Sequence, residues 1–232
     1  MVNKSNTQVA TLEQKFFNRV YSWMTFALIL TGVTALYVTA SPGMQALVLG
    51  NPIILFGLII LELIAVASLA GAINKMSLAT ATYVFVGYSV LNGLTLSGIF
   101  MLYTGASIAL AFFITAATFG VMTVYGYTTK SDLTQMGKLM FMGLIGIIIA
   151  SLVNIFLRSP MMDWIISYVG VAVFIGLTAY DTQKIKAMLS TVGNDEVAYQ
   201  KYSILGALTL YLDFINLFIM ILRIVGNRNR DY

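Results

Sequence analysis

A chain of 232 residues that is 59% hydrophobic and only 9% charged, with a mean hydropathy of +0.88, cannot expose that composition to water and reads as a polytopic membrane protein. At about 20 residues per span, roughly six to eight helices use most of it, and no separate soluble catalytic domain fits. Cysteine and histidine are both absent, which excludes disulfides, thiolate metal sites and Ser-His-Asp or Cys-His nucleophiles, and leaves any pH response to carboxylates, Lys, Tyr or the termini.

The first 20 residues are polar, with Lys4, Glu13, Lys15 and Arg19, and show no short cleavable signal pattern. Leu12, Phe16, Val20 and Trp23 share one helical face, which fits either a cytoplasmic interfacial helix over residues 1–20 or a frayed tail. Apolar runs follow at Tyr21 to Ala40, Ile53 to Ile73, Leu78 to Tyr103, Ser107 to Tyr127, Leu139 to Leu157, Trp164 to Tyr180 and Ile204 to Val225. Their lengths predict an all-α, seven-transmembrane-helix bundle over residues 21–226 and a short polar C-terminal tail over 227–232, since spanning strands would be shorter and would alternate in polarity. Pro42 with Gly43, and Gly50 to Pro52, punctuate the first connection; Ser159 and Pro160 mark the fifth; Thr104 and Gly105 make a tight third.

The 13 Lys and Arg sit mainly at span ends, where they signal topology rather than nucleic acid. Nine fall on the side of the N-terminus: three before the first span, then Lys75, Lys130, Lys138, Lys184, Lys186 and Lys201. The other side has Arg158 in its loops, so the N-terminus is expected to be cytoplasmic. Arg223, Arg228 and Arg230 would join Arg158 outside if the seventh segment crosses fully, which leaves a re-entrant last segment as the alternative. Gly93 with Ser97, Gly143 with Gly146 and Ala150, and Gly170 with Gly176 are small residues at spacings that let helices approach closely.

Three acids interrupt the apolar runs: Glu62, Asp181 and Asp213. A carboxylate near the middle of a span costs about 2.5–3.5 kcal/mol on insertion scales and usually faces the protein interior or a water-filled path. The last span, carrying Asp213 with Asn216 three residues on, is therefore expected to be central. Glu62 reads either as an interhelical hydrogen-bond partner or as a pathway residue. Asp181, followed by Lys184 and Lys186, reads either as interfacial or as a partner for Asp213. If those two carboxylates lie within a few Å they share a proton and form a pH sensor without histidine, and when deprotonated they offer hard oxygen ligands to calcium. For them to meet, the sixth helix has to extend below the membrane boundary, or a funnel has to reach up from the cytoplasm.

Four stretches together resemble the bacterial branch of the Bax inhibitor family, also called the transmembrane BAX inhibitor motif family: AYDTQKIK at Ala179 to Lys186, ALTLYLDFINLFIMILRI at Ala207 to Ile224, NGLTLSGIF at Asn92 to Phe100 and YGYTTKSDL at Tyr125 to Leu133. The resemblance implies a seven-helix fold with the last helix surrounded by the other six, and a pH-sensitive calcium leak. By motif match it makes Asp181 and Asp213 the proton-sharing pair. It makes Lys75, where some relatives carry arginines with their planar fork, the latch of the closed state. It makes Glu62 a residue of the ion path, so that Asp181, Asp213 and Glu62 are the calcium contacts.

The expected function is thus a passive, pH-gated calcium or cation leak in a bacterial inner membrane, multi-pass, with no cofactor, no nucleic-acid partner and no enzymatic activity. Its expected partners are the lipid bilayer and the permeant calcium. The alternative is a regulatory membrane protein that binds other membrane proteins, such as a membrane-bound ATP-dependent protease, with residues 1–19 as its handle. A transporter or enzyme fits less well, because nucleophile and metal constellations are missing and no inverted repeat is evident.

Overall fold

A computed structural model describes residues 2–192 and 195–229, without the side chains of residues 2–10, 190 and 191. Lys4 as a side chain, Arg230 and the end of the 227–232 tail therefore lie outside the described residues. The described residues form eight helices: α1 (Val2–Ala40), α2 (Pro42–Val48), α3 (Pro52–Ala72), α4 (Leu78–Leu102), α5 (Gly105–Thr128), α6 (Thr134–Leu157), α7 (Pro160–Val192) and α8 (Glu196–Val225). All but α2 are long and apolar enough to cross a membrane, giving seven spans. Helices satisfy their own backbone groups, which a lipid environment requires.

Boundaries follow local chemistry. Asn51 accepts hydrogen bonds from the amides of Ile53 and Ile54 at 3.0 and 3.4 Å, and Pro52 opens α3. The punctuation at Pro42 and Gly43 proves to be a seven-residue helix, α2, started by Pro42. α6 ends on Arg158 in the left-handed region, φ 49° and ψ 37°, a conformation that costs an L-residue about 1–2 kcal/mol and that glycine usually fills. The sixth apolar run stops at Tyr180, yet α7 continues to Val192. Thr182 and Ile185 stay fully buried on that extension, in line with Thr178 of the apolar run, so its backbone is held by packing after the hydropathy signal has faded.

The chain divides into two compact units, Met1–Leu102 with Ala187–Tyr211, and Tyr103–Lys186 with Leu212–Tyr232. In the first, Phe16, Val20, Ala27, Ala35 and Val38 of α1 are fully buried. Of the face read from sequence, Phe16 and Val20 are in the core, Leu12 is exposed, and Trp23 meets Phe85 edge-on at 6.1 Å. The N-terminal turns of α8 join α1 through Phe16 and Tyr199, whose rings are 5.3 Å apart. The Arg19–Glu196 ion pair at 3.6 Å is exposed and adds at most about 1 kcal/mol.

Of the small residues singled out in the sequence, Gly143 faces Val173, Gly170 faces Met220 and Gly176 faces Met140 in the second unit, whereas Gly146 has open space beside it; Gly126, not singled out, lies against the backbone of Ala179. The tail is held to the α4–α5 connection: Thr104 N–H donates to Asn227 O at 3.1 Å and Asn227 N–H to Ser107 Oγ at 2.9 Å. α8 runs unbroken for 30 residues, a rise of about 45 Å, with no turn of the kind a re-entrant segment needs. Its most apolar window is 67% buried, against 44% for α7, the next highest. It is the most interior span, as its carboxylate led one to expect.

Glycine is required where backbones touch. A Cβ on Gly93 would lie 2.6 Å from both Thr31 O and Thr34 Cβ, whereas one on Gly120 would meet nothing within 4 Å. Thermal unfolding in detergent is expected to show Gly93→Ala destabilised by about 1–3 kcal/mol, and Gly120→Ala unchanged or stabilised by up to about 1 kcal/mol.

Candidate functional site

Asp213 is 5% exposed, and its Oδ2 has no hydrogen-bond partner among the described residues. The charges of Asp181 and Lys184, both on α7, act on it, and Lys184 acts on Asp181 as well. Asp181 and Lys184 are three residues apart and so share a helix face. The α7 extension past Tyr180 carries both of them. Next to Asp213, Phe214 packs edge-on against Phe112 at 5.6 Å and Phe119 at 5.4 Å, an apolar setting in which charge interactions are weakly screened. With Lys184 positive, the trio is neutral when the two aspartates hold one proton between them. A second negative charge leaves room for a cation. Among the described residues no three acids converge as a metal cage, so the unit offers a pair of carboxylates.

The α7 extension is fixed by the loop before α6. Gln183 Oε1 accepts from the Leu133 amide at 2.9 Å, and its Nε2 donates to Ser131 O at 2.9 Å. Lys186 Nζ lies 4.4 Å from the centre of the Tyr127 ring and donates to Tyr127 O at 3.4 Å. The two motif stretches Ala179 to Lys186 and Tyr125 to Leu133 thus fit one another. In the same loop Asp132 is held below the usual carboxylate range by hydrogen bonds from Thr134, side chain first and then amide. From these stretches the sequence singled out Asp181 and the lysines but not Gln183; the available signal was a primary amide just beyond an apolar run, where a helix would otherwise end.

Glu62 sits in the first unit within a second polar cluster. The Thr95 hydroxyl donates to its Oε1 at 2.8 Å, and the Asn92 side chain is near enough to act on its charge. Asn92 Nδ2 reaches Tyr88 Oη at 3.4 Å, and Tyr211 Oη donates to Asn92 Oδ1 at 3.1 Å. Tyr211 Oη is also 2.7 Å from Thr31 Oγ1, which lies 2.8 Å from Ser89 O. Tyr211 and Ser89 are fully buried and Thr31 is 3% exposed. Thr31 and Tyr211 own one hydroxyl proton each, yet they make three O···O contacts, so one contact lacks a proton in any fixed arrangement. Turning the Asn92 amide over supplies it, because Nδ2 then donates to Tyr211. The direction of the chain is therefore tied to Asn92, and through Asn92 to Glu62.

Lys75 belongs to the same unit as Glu62, whereas Asp181 and Asp213 belong to the other. It is exposed in the turn after α3. Lys201 of α8 donates to Asn74 O and Met76 O at 3.2 Å each, and Tyr202 Oη to Asn74 Oδ1 at 3.1 Å. Lys201, counted in the sequence only as a topology signal, and Tyr202, not singled out there, hold the turn that carries Lys75. The cation that acts on both aspartates is Lys184.

Residues 13–230 match the family described as Inhibitor of apoptosis-promoting Bax1 (Bax1-I). The chain is 52% identical over 216 residues to the Inner membrane protein YbhL of Escherichia coli (strain K12), covering 93% of this chain and 92% of that one. It is 44% identical over 224 residues to an uncharacterized protein of Borreliella burgdorferi, covering 97% of each. An uncharacterized membrane protein of Streptococcus pyogenes is 39% identical over 218 residues, covering 93% of each.

Two variants test the geometry. Tyr211→Phe breaks the links to Thr31 and Asn92 and is expected to cost about 0.6–1.7 kcal/mol, the range of interhelical hydrogen bonds in membrane proteins; combined with Thr31→Val, the loss should fall short of the sum in a double-mutant cycle. Gln183→Leu removes the clamp on the loop, and amide exchange at Leu133 should accelerate while exchange along α4 stays unchanged.

Proposed function

This chain belongs to the Bax inhibitor family, a multi-pass membrane protein by its seven apolar spans, and from that premise we propose that it is a passive, pH-sensitive leak for calcium or a similar cation. Its seat is a bacterial inner membrane, as the name of the Escherichia coli relative suggests, with the N-terminus in the cytoplasm by the distribution of Lys and Arg. Asp181 and Asp213 share the sensing proton, Glu62 lines the path, and Lys75 assists closure.

The observation that carries the reading is the Asp213 carboxylate: buried, with Oδ2 lacking a donor, and under the charges of Asp181 and Lys184. A purely structural acid in an apolar helix would have its oxygens satisfied, as buried polar groups normally are. Asp213 instead keeps one oxygen for a proton or a cation. Adding or removing one proton changes the charge of the trio by a full unit in a medium that screens weakly, and that difference can favour one helix arrangement over another. Calcium, a hard cation that takes carboxylate and carbonyl oxygens, is the permeant ion the pair suits.

In liposomes loaded with a calcium dye, the purified protein should give a flux that differs several-fold between about pH 6 and pH 8, the range in which physiological proton switches operate. Asp213→Asn and Asp181→Asn should flatten that response. Lys184→Gln should displace its midpoint, whereas Lys138→Gln should not. Absence of flux at every pH, or an undiminished pH response in Asp213→Asn, removes the reading.

A further inference from the structure

The second unit contains a cavity of about 400 Å³ lined by Ser151, Asn154, Arg158, Asp163, Ile166 and Arg223, within the size range of small-molecule sites. It lies where α6 ends, α7 begins and α8 nears its end, away from Asp181 and Asp213 in sequence. Two of the few basic residues that sequence counting places on the side opposite the N-terminus converge there. Neither Arg158 nor Arg223 has an ion-pair partner among the described residues.

The floor is built and rigid. Asn154, 6% exposed, donates through Nδ2 to Asp163 Oδ1 at 2.7 Å and to Ser159 O at 3.2 Å, and its Oδ1 accepts from the Ser159 amide at 3.0 Å. Arg158 takes the left-handed conformation that glycine would adopt without strain, so the guanidinium is placed there against the local backbone preference. One turn into α7, Trp164 and Tyr168 stack at 5.8 Å while remaining 49% and 57% exposed. Exposed Trp and Tyr of this kind mark the headgroup level of a bilayer. From the cavity, α6 presents Ile155, Leu152 and Ile148 outward, 65%, 56% and 51% exposed, an apolar track running down the helix.

Two guanidiniums offer the planar, multi-donor recognition that phosphate favours. Asp163 has one oxygen engaged by Asn154, which leaves the other for an ammonium. We propose that this cavity binds a phosphoethanolamine group carried by a membrane phospholipid: the phosphate on Arg158 and Arg223, the ammonium on Asp163, the acyl chains along the Ile155–Leu152–Ile148 track. No step of the leak is needed for this binding, and its failure would leave the aspartate pair untouched.

Native mass spectrometry and thermal unfolding in detergent, with phosphatidylethanolamine, phosphatidylglycerol or soluble phosphoethanolamine added to the full chain, test the proposal. Phosphatidylethanolamine should persist as a one-to-one adduct and raise the unfolding temperature more than phosphatidylglycerol does. Asp163→Asn should erase that preference, and Arg223→Gln should weaken the adduct at least tenfold. Arg158→Gly is the decisive variant: relieving the left-handed strain should raise the lipid-free unfolding temperature while the lipid-induced rise disappears, a pair of opposite changes that a structural arginine would not give. Equal occupancy by the two lipids in the wild-type protein, or an undiminished adduct in Arg223→Gln, overturns the proposal. Saturation by soluble phosphoethanolamine as effective as by the lipid overturns the assignment to a membrane lipid.

Discussion

Polar groups carried into an apolar helix must find partners in the protein, because lipid offers none, and α8 carries two such groups two residues apart. Tyr211 and Asp213 are both buried, and the protein treats them differently. Tyr211 meets Thr31 and Asn92 and is embedded in a chain of hydroxyls and amides that reaches Glu62. Asp213 meets charges but keeps an oxygen without a donor. Tyr211 belongs to the first compact unit and Asp213 to the second. That division separates a group whose hydrogen bonds are made from one with an oxygen left over.

The difference has a chemical logic. A phenol and an amide can exchange donor and acceptor roles without net charge, so the cluster around Tyr211 accommodates a change at Glu62 by reversing hydrogen bonds, at little electrostatic cost. A carboxylate cannot accept a proton or a cation without changing charge. Where the surroundings include Asp181 and Lys184 and the neighbouring Phe214 packs against Phe112 and Phe119, that change acts in a weakly screening medium. Small residues complete the arrangement: Gly126 lets α5 touch the backbone of α7 at Ala179, just ahead of Asp181, and Gln183 ties the following turn to the loop before α6.

Arginine is used as sparingly as the acids are. Arg158 occupies a backbone position that suits glycine, and Arg223 lies on the most buried helix near its end, yet both line one cavity beside exposed aromatic residues. In a chain with so few charges, two guanidiniums without an ion-pair partner among the described residues, lining one cavity over a hydrogen-bonded Asn154–Asp163 floor, indicate a ligand more readily than a topology signal. The membrane is then a source of bound headgroups as well as the solvent for the apolar faces.

By itself the sequence determined the class, the number of spans and the interior position of the last helix, and it singled out three acids within the spans, because apolar length and an expensive carboxylate are local properties that a bilayer reads residue by residue. Motifs in α4, the α5–α6 region, α7 and α8 also pointed to the family. Helix ends were less legible: α7 runs twelve residues past its apolar run, from Tyr180 to Val192, since packing of Thr182 and Ile185 replaces hydropathy as the reason to stay helical. The short α2 was hidden by Pro42 and Gly43, which signal a helix start as readily as a break. Only the tertiary structure decided that Lys184 is the cation acting on the aspartates, that Gln183 clamps a loop some fifty residues earlier, that Tyr211 links Thr31 to Asn92, and that Arg158 and Arg223 share a cavity. Each of those depends on side chains from distant helices meeting at an angle and depth that no local pattern encodes.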